Sequence, residues 1–176
     1  MFVANHTSFM DIYFVAAALG FRNYKMIAKK ELLKIPILSR AMKTCDHILL
    51  DRENRKSQFE AFKKGVKGLK TPGLNVVTFA EGTRSKTGVL GEFKKGAFKM
   101  AQSAGAPIVP LSIGYAREVH PPKYIFPMKP SRFGKHKASI YIEEPIETVG
   151  KSDDELYEEV RKKMIQRLPE SQRPAE

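Results

Sequence analysis

The sequence predicts a single α/β domain in which helices flank a mixed, largely parallel β-sheet. Strand and helix signals alternate along the chain, a pattern typical of layered α/β structures. The 176 residues are enough for one domain with a sizeable core. The longest apolar run, Ile12 to Leu19, is shorter than the ~18 residues that a membrane-spanning helix needs. We place the domain at residues 1–168 and predict a frayed tail over 169–176.

The first half of the chain predicts short elements. A helix begins near Asp11 and ends at Gly20, and the apolar stretch at 24–28 is typical of a strand. Two short helices are expected at 29–34 and 37–42, on either side of Pro36. A buried strand follows at 47–50.

The second half carries clearer signals. A helix over 57–70 ends at Thr71-Pro72-Gly73, and its apolar residues share one face: Phe59, Phe62, Val66 and Leu69. Strands are predicted at 75–79, 108–113 and 138–142, and a helix over 93–104 stops at Gly105. A last helix begins at Ser152, where Glu155 completes a capping box.

The chain is strongly basic, with 31 Lys and Arg residues against 19 Asp and Glu residues and a net charge of +12. This charge favours an anionic partner: nucleic acid, a phosphorylated metabolite or an acidic membrane surface. The single cysteine, Cys45, excludes an internal disulfide and is typical of a reducing compartment. We predict that Cys45 is a small buried apolar residue.

The most informative stretch is Asn5–Asp11, in which a histidine and a carboxylate stand five residues apart. If the helix starts between them, Asp11 can reach back from the first turn to one imidazole nitrogen of His6. The other nitrogen is then available as a base, as in the orienting half of a charge-relay system. A structural interpretation is also open, because Ser8 and Asp11 have the spacing of a capping box.

A second polar cluster, Glu81–Ser85, directly follows the strand at 75–79, where α/β sheets tend to place ligand sites. Gly82 permits a tight turn, and Arg84 presents a guanidinium that matches a phosphate or a carboxylate. Thr83 adds a hydroxyl donor. A solvated turn with a chance arginine is the alternative interpretation.

Other catalytic patterns fail on spacing. The segment 91–96 begins like a phosphate-binding P-loop but lacks the Lys and Ser/Thr that should follow, and the sequence has no G-x-S-x-G nucleophile elbow. Cys45-Asp46-His47 has metal-capable side chains, but neighbouring strand residues point to opposite faces, so we predict no metal site. His120 and His136 are predicted to be surface residues.

Together, the motifs at His6–Asp11 and Glu81–Ser85 resemble those of the glycerolipid acyltransferases, in particular the lysophosphatidate acyltransferase type. Segments 29–32, 48–55 and 108–111 also resemble family segments in order and spacing. The resemblance runs from about Phe2 to about Ile142. It implies the family's α/β fold and a direct acyl transfer without an acyl-enzyme.

The resemblance also implies how the acyl group moves. His6, oriented by Asp11, would take the proton of the acceptor hydroxyl as that hydroxyl attacks an acyl thioester. Backbone N–H groups at the start of the first helix would stabilise the charge on the thioester oxygen.

For the acceptor, the resemblance implies a phosphate site made by Arg52, Gly82 and Arg84, with Thr83 beside them. Glu81 would orient Arg84 or contact the acceptor hydroxyls. No metal or cofactor is implied, because acyl-CoA or acyl carrier protein supplies the thioester as co-substrate. The implied acceptor is the lysophospholipid 1-acyl-sn-glycerol 3-phosphate, and the alternatives are glycerol 3-phosphate or another lysophospholipid.

Two positions depart from the family pattern, since Ala80 stands where proline is usual and Asp46 where glycine is common. Family members also commonly carry an N-terminal membrane-associated helix and a complete strand before the first motif, where this sequence has Met1–Ala4. We therefore expect either a truncated chain or a member that attaches to the membrane by another surface.

The segment 122–137 interleaves cations with aromatic residues. We assign it to an anionic membrane surface, with the protein peripheral on the cytoplasmic face. A basic, non-enzymatic nucleic-acid-binding module is the hypothesis of another class. Because of the acyltransferase motifs, we expect no nucleic-acid partner.

Overall fold

The computed structural model describes residues 1–20, 23–121 and 137–175. The strands of these residues are β1 (Phe2–Ala4), β2 (Tyr24–Lys29), β3 (Ile48–Leu50), β4 (Asn75–Phe79), β5 (Val109–Gly114) and β6 (Ser139–Ile142). Their helices are α1 (Asp11–Ala18), α2 (Pro36–Thr44), α3 (Arg55–Lys70), α4 (Gly96–Ala104), α5 (Ala116–Val119) and α6 (Asp153–Arg167). A 3-10 turn, Lys30–Lys34, stands where the sequence predicts the helix at 29–34.

The strands form one sheet in the order β3-β2-β4-β1-β5-β6. All neighbouring pairs are parallel except β5 and β6. Short as it is, β1 lies in the middle, where Val3 pairs with Thr78 of β4 and with Pro110 of β5. The carboxyl ends of β1 and β4 therefore lie side by side. The predicted mixed, largely parallel α/β sheet is confirmed.

Side chains that alternate along the strands pack into two cores on opposite faces of the sheet. Val3 and Val76 belong to the core that α3, α4 and α6 cover. Ala4 and Val77, one residue further along the same strands, belong to the core that α1 covers through Val15. The central strands are thus buried on both faces, which holds their carboxyl ends rigidly in place.

Helix α3 packs through small residues and through most of the apolar face that the sequence predicts, since Phe62, Val66 and Leu69 pack against the core. Ala61 and Gly65 are buried, and a Cβ on Gly65 would collide with the Met100 side chain of α4. Phe59, predicted on the buried face, is 56% exposed. It lies near the start of the helix, and the Lys63 ammonium lies 4.3 Å from the centre of its ring.

The prediction that Cys45 is buried is wrong, because the residue follows the end of α2 and faces solvent. The next residue, Asp46, adopts a positive φ of 48°, which a side chain disfavours. Lys25 steadies this turn by donating to the Cys45 carbonyl at 2.9 Å and to Asp46 Oδ2 at 3.2 Å. A position where glycine is common in the resembled family therefore has the backbone conformation that favours glycine.

The segment after α6 packs against the domain, so the prediction of a frayed tail is wrong for its first residues. Gln172 is buried in a 3-10 turn. Its carbonyl accepts from the Leu90 N–H at 2.9 Å, and its Oε1 accepts from the Tyr115 N–H at 3.1 Å. The capping box that the sequence predicts between Ser152 and Glu155 is confirmed.

Candidate active site

Both predicted motifs follow the carboxyl ends of adjacent parallel strands, and hydrogen bonds join their loops. The Ala80 N–H donates to the Ala4 carbonyl at 2.8 Å, and the Ser85 N–H donates to the His6 carbonyl at 2.8 Å. A proline at position 80, usual in the resembled family, could not make the first of these bonds. The loops after β1 and β4 therefore form one wall, and His6 lies on it.

His6 and Asp11 form the pair that their spacing predicts. His6 Nδ1 lies 2.8 Å from Asp11 Oδ2. The Asp11 side chain is fully buried, whereas that of His6 is 14% exposed. Because a carboxylate only accepts, this contact places the Nδ1 proton of a neutral ring toward Asp11.

The same carboxylate oxygen also organises the loop backbone. Asp11 Oδ2 accepts from the Thr7 N–H at 2.7 Å and from the Ser8 N–H at 2.8 Å. The Ser8 hydroxyl does not cap the Asp11 N–H in return but accepts from the Met10 N–H at 3.3 Å. Only one of the two hydrogen bonds of a capping box is present. Helix capping by itself therefore does not explain the position of the Asp11 side chain.

These contacts limit which backbone N–H groups at the start of α1 are available as oxyanion donors, and the expectation of an oxyanion site there stays a prediction. The N–H groups of Thr7 and Ser8 donate to Asp11, and the N–H of Met10 donates to Ser8. The Asp11 N–H donates to the Ser8 carbonyl at 3.3 Å. The N–H groups of these four residues are therefore already engaged within the loop.

An aromatic contact that sequence analysis missed fixes the plane of the His6 ring. Phe79, the last residue of β4, stacks on it with 3.9 Å between ring centroids and 12° between ring planes. Offset or stacked rings at this distance limit rotation about the histidine side-chain bonds. The sequence feature that could have indicated this contact is the position of Phe79, directly before the second motif.

Glu81 joins the two motifs from inside the wall. Its side chain is almost fully buried, and its Oε1 accepts from the His6 N–H at 3.2 Å. Gly91 lies against the other carboxyl oxygen, since a Cβ at position 91 would be 3.2 Å from Glu81 Oε2. Burial raises the pKa of Glu81 to about 7, and the Asp11 charge adds to that effect. The predicted contact of Glu81 with Arg84 or with acceptor hydroxyls stays a prediction.

The predicted cationic residues line the same cleft as His6. Arg52, from the loop after β3, and Arg84, from the loop after β4, are both exposed within it. A Cβ on Gly82 would lie 3.6 Å from Arg52 Nη2 and 3.5 Å from Lys94 Cγ. Lys94 is thus a further cation of the cleft, beside Gly82, and the sequence did not indicate it because it lies inside the segment that fails as a P-loop.

The cleft has a volume of about 640 Å³, within the range of small-molecule sites. Six of the seven predicted site residues line it, namely His6, Arg52, Glu81, Gly82, Thr83 and Arg84, and Asp11 lies behind His6. The rest of its wall is largely apolar, with Phe9, Ile12, Met26, Leu50, Phe62 and Met100. Charged, polar and apolar side chains therefore line one cavity.

The prediction that His120 lies on the surface is wrong. The residue is buried behind the loop of the first motif, where the Ser8 hydroxyl donates to its carbonyl at 3.1 Å and lies 3.3 Å from its Nδ1. His120 ends the short helix α5, which packs against this loop. His136 and residues 122–136 of the cationic, aromatic segment lie outside the described residues.

Among the helices described, none has the length and apolarity needed to cross a membrane.

Comparison with known proteins identifies the family. A family model described as Acyltransferase matches residues 1–114. An uncharacterized acyltransferase of Schizosaccharomyces pombe is 36% identical over 157 residues, which cover 88% of this chain and 53% of the relative. The 1-acyl-sn-glycerol-3-phosphate acyltransferase of Saccharomyces cerevisiae is 32% identical over 173 residues, covering 96% of this chain and 55% of the relative. The chain thus spans about half the length of these two relatives.

A solved structure has the same architecture. The crystal structure of the 1-acyl-sn-glycerophosphate (LPA) acyltransferase PlsC from Thermotoga maritima superposes with a TM-score of 0.70 at 32% sequence identity. The match covers 93% of this chain and 62% of that one. On the family match, the two relatives and this shared fold, the chain belongs to the acyltransferase family.

Proposed function

We propose that this chain moves a fatty acyl group from an acyl thioester to the free hydroxyl of 1-acyl-sn-glycerol 3-phosphate, giving phosphatidic acid. The observation that carries the proposal is the His6–Asp11 pair on the wall of a cleft that also presents Arg52 and Arg84. A base for a hydroxyl and cations for a phosphate can then act on one acceptor. The Saccharomyces cerevisiae relative and the Thermotoga maritima protein are both named as acyltransferases of this acceptor.

In this proposal His6 is the general base. Its Nδ1–H donates to Asp11, so Nε2 of the neutral ring takes the hydroxyl proton as the acceptor oxygen attacks the thioester carbonyl. The buried Asp11 carboxylate stabilises the imidazolium that forms. The new C–O ester bond forms, the C–S bond breaks, and the leaving thiolate takes the proton from His6. No acyl-enzyme is formed, because the acceptor itself is the nucleophile.

Arg52, Arg84 and Lys94 hold the acceptor phosphate. Charge-assisted hydrogen bonds from guanidinium and ammonium groups suit a phosphomonoester, and Arg52 lies beside Gly82, whose missing side chain leaves room for the ligand. Thr83, exposed at the same edge of the cleft, adds a hydroxyl. Fixing the phosphate places the free hydroxyl against His6 and so lowers the entropic part of the barrier.

The apolar lining of the cleft takes acyl chains. Phe9, Ile12, Met26 and Phe62 belong to this lining, and burial of methylene groups against it contributes roughly 0.8 kcal/mol each. The thioester, on coenzyme A or acyl carrier protein, is the second substrate, and no resident cofactor takes part. The protein works as a peripheral protein on the cytoplasmic face of the membrane that holds its lipid acceptor.

A thiol-release assay tests the proposal. Purified protein is incubated with an acyl-CoA and, in separate reactions, with 1-acyl-sn-glycerol 3-phosphate, glycerol 3-phosphate or lysophosphatidylcholine. We expect release of free thiol that depends on the lysophosphatidate, with phosphatidic acid as the lipid product. Exclusive use of glycerol 3-phosphate, or of the acceptor without a phosphomonoester, would refute the assignment of the acceptor. Salt-sensitive binding to duplex DNA or RNA without any thiol release would favour the nucleic-acid hypothesis instead.

A further inference from the structure

The segment that follows β2 exposes apolar side chains next to the cleft. Ile37, on the first turn of α2, is 82% exposed, the largest fraction among the large apolar side chains of the described residues, and Ile35 is 47% exposed. Met42 of the same helix is buried, so α2 already uses its other side for packing. Ile35 and Ile37 stand only two residues apart, so they present a small continuous apolar surface to solvent rather than one isolated side chain.

The surroundings of these side chains are basic. Residues 30–44 contain Lys30, Lys34, Arg40 and Lys43 and a single acidic residue, Glu31. All four cations are exposed. Apolar side chains flanked by cations are the composition of helices that lie in the interface of anionic bilayers.

This segment also borders the site. Lys29 and Leu32, which lead into α2, line the cleft together with His6. Glu31 lies close enough to Arg52 to act on its pKa, opposing the lowering that desolvation causes. A membrane in contact with α2 would therefore lie close to the cleft.

We propose that Lys34, Ile35, Ile37 and Arg40, here called the α2 surface, dock the protein on an anionic lipid bilayer, with Ile37 inserted among the headgroups. The cations attract the lipid phosphates, and Ile37 adds a contribution that salt does not screen. This inference rests on the proposed function, because the lipid acceptor of that function resides in a membrane. It goes further by naming the surface and the way it binds.

The chain has no tryptophan, so a single introduced tryptophan reports its own surroundings. The probe is Ile37→Trp, and the matched control is Val149→Trp, because Val149 is 75% exposed and lies in the loop before α6, with acidic Glu147 nearby. On addition of vesicles made of phosphatidylcholine and phosphatidylserine in equal parts, we expect a blue shift and a rise in emission for Ile37→Trp only. No shift at position 37, or an equal shift at position 149, would overturn the proposal.

Sedimentation with the same vesicles separates the two contributions. Ile37→Ser should weaken binding roughly fivefold or more, whereas Val149→Ser should bind like the unaltered chain. Lys34→Gln combined with Arg40→Gln should weaken it by about tenfold or more, and the loss should shrink in high salt. Lys67→Gln with Lys70→Gln removes the same charge from α3. An equal loss in that control would show that diffuse net charge, not the α2 surface, binds the membrane.

These measurements involve no turnover, so they decide the docking surface separately from the chemistry. Circular dichroism confirms that each variant is folded, as expected for substitutions at exposed positions. Ile37→Ser should also keep its rate on a short-chain, monodisperse lysophosphatidate and lose rate on the same acceptor class held in vesicles. An equal loss on both acceptors would contradict a role in docking.

Discussion

Glu81 Oε1 lies 3.2 Å from the backbone nitrogen of His6 and accepts its hydrogen bond, although the two residues are 75 positions apart. The contact joins the loop after β4 to the loop after β1. Because the carboxyl group is buried and packs closely against Gly91, it sets the position of the His6 backbone independently of Asp11. Two carboxyl groups thus hold His6: Asp11 contacts the imidazole ring, and Glu81 accepts from the backbone N–H.

The raised pKa of Glu81 predicts a pH dependence of stability. Its pKa of about 7 in the folded protein lies above the ordinary 4.5, so the folded state binds a proton more tightly than the unfolded chain. The free energy of unfolding should therefore fall as pH rises between these two values, by up to about 3 kcal/mol, and this contribution should be level outside the window. Urea unfolding across the window measures it.

Glu81→Gln isolates that contribution, because the amide stays neutral at every pH. The difference in unfolding free energy between this variant and the unaltered chain should grow in favour of the variant as pH rises through the window. Two parallel curves would contradict a buried, proton-binding Glu81.

Gly91→Ala should disturb His6 from a distance. A Cβ at position 91 would lie 3.2 Å from Glu81 Oε2, closer than ordinary van der Waals contact, so the carboxyl group must shift and take the His6 N–H with it. We expect kcat to fall about tenfold or more, because small displacements of catalytic groups are costly. Gly68→Ala is the control, since a Cβ there also meets a side-chain atom at 3.2 Å, on Val76, but Gly68 does not line the cleft. Equal rates for the two variants would show that Glu81 does not position His6.

Arg52→Ala and Arg84→Ala should weaken binding of the acceptor. Removing one charged partner of a phosphate costs roughly 1.5–3 kcal/mol, so the acceptor KM should rise about 10- to 100-fold while the thioester KM changes little. Arg55→Ala removes an exposed arginine three positions from Arg52 that does not line the cleft, and its KM values should stay unchanged. A rise in the thioester KM instead would assign the cations to the other substrate.

Asp11→Asn distinguishes a catalytic carboxylate from a helix cap. An amide cannot stabilise the imidazolium as a carboxylate does, so turnover should fall on the order of 10³-fold or more. Ser8→Ala removes the hydroxyl of the capping interpretation and leaves the His6–Asp11 contact intact, so its turnover should stay within a few-fold. If both variants lost stability and turnover to the same extent, Asp11 would be a structural residue only.

The pair at the centre of the site was predictable from sequence because its geometry is local. His6 and Asp11 are five residues apart with a helix start between them, and such a spacing leaves few ways to arrange the two side chains. The Glu81–Ser85 cluster was predictable because it follows the strongest strand signal of the chain. Adjacent parallel strands then bring both stretches to one edge of the sheet.

The contacts between distant segments were not predictable in this way. The stacking of Phe79 on His6 and the approach of Lys94 to Gly82 depend on the register of β1 and β4 and on the path of the loop before α4. The burial of His120 depends in the same way on α5 packing against the first motif. Local sequence patterns contain no information about such pairings, so they require the folded chain.

The most direct test of the account is the rate of thiol release by His6→Ala. The chain is incubated with acyl-CoA and 1-acyl-sn-glycerol 3-phosphate, and circular dichroism and urea unfolding show that the variant keeps its fold. We expect acceptor-dependent thiol release to fall by at least about 10²-fold, the usual contribution of a general base, with little change in the acceptor KM. Near-normal turnover by a folded His6→Ala protein would contradict the central claim that His6 takes the proton of the acceptor hydroxyl.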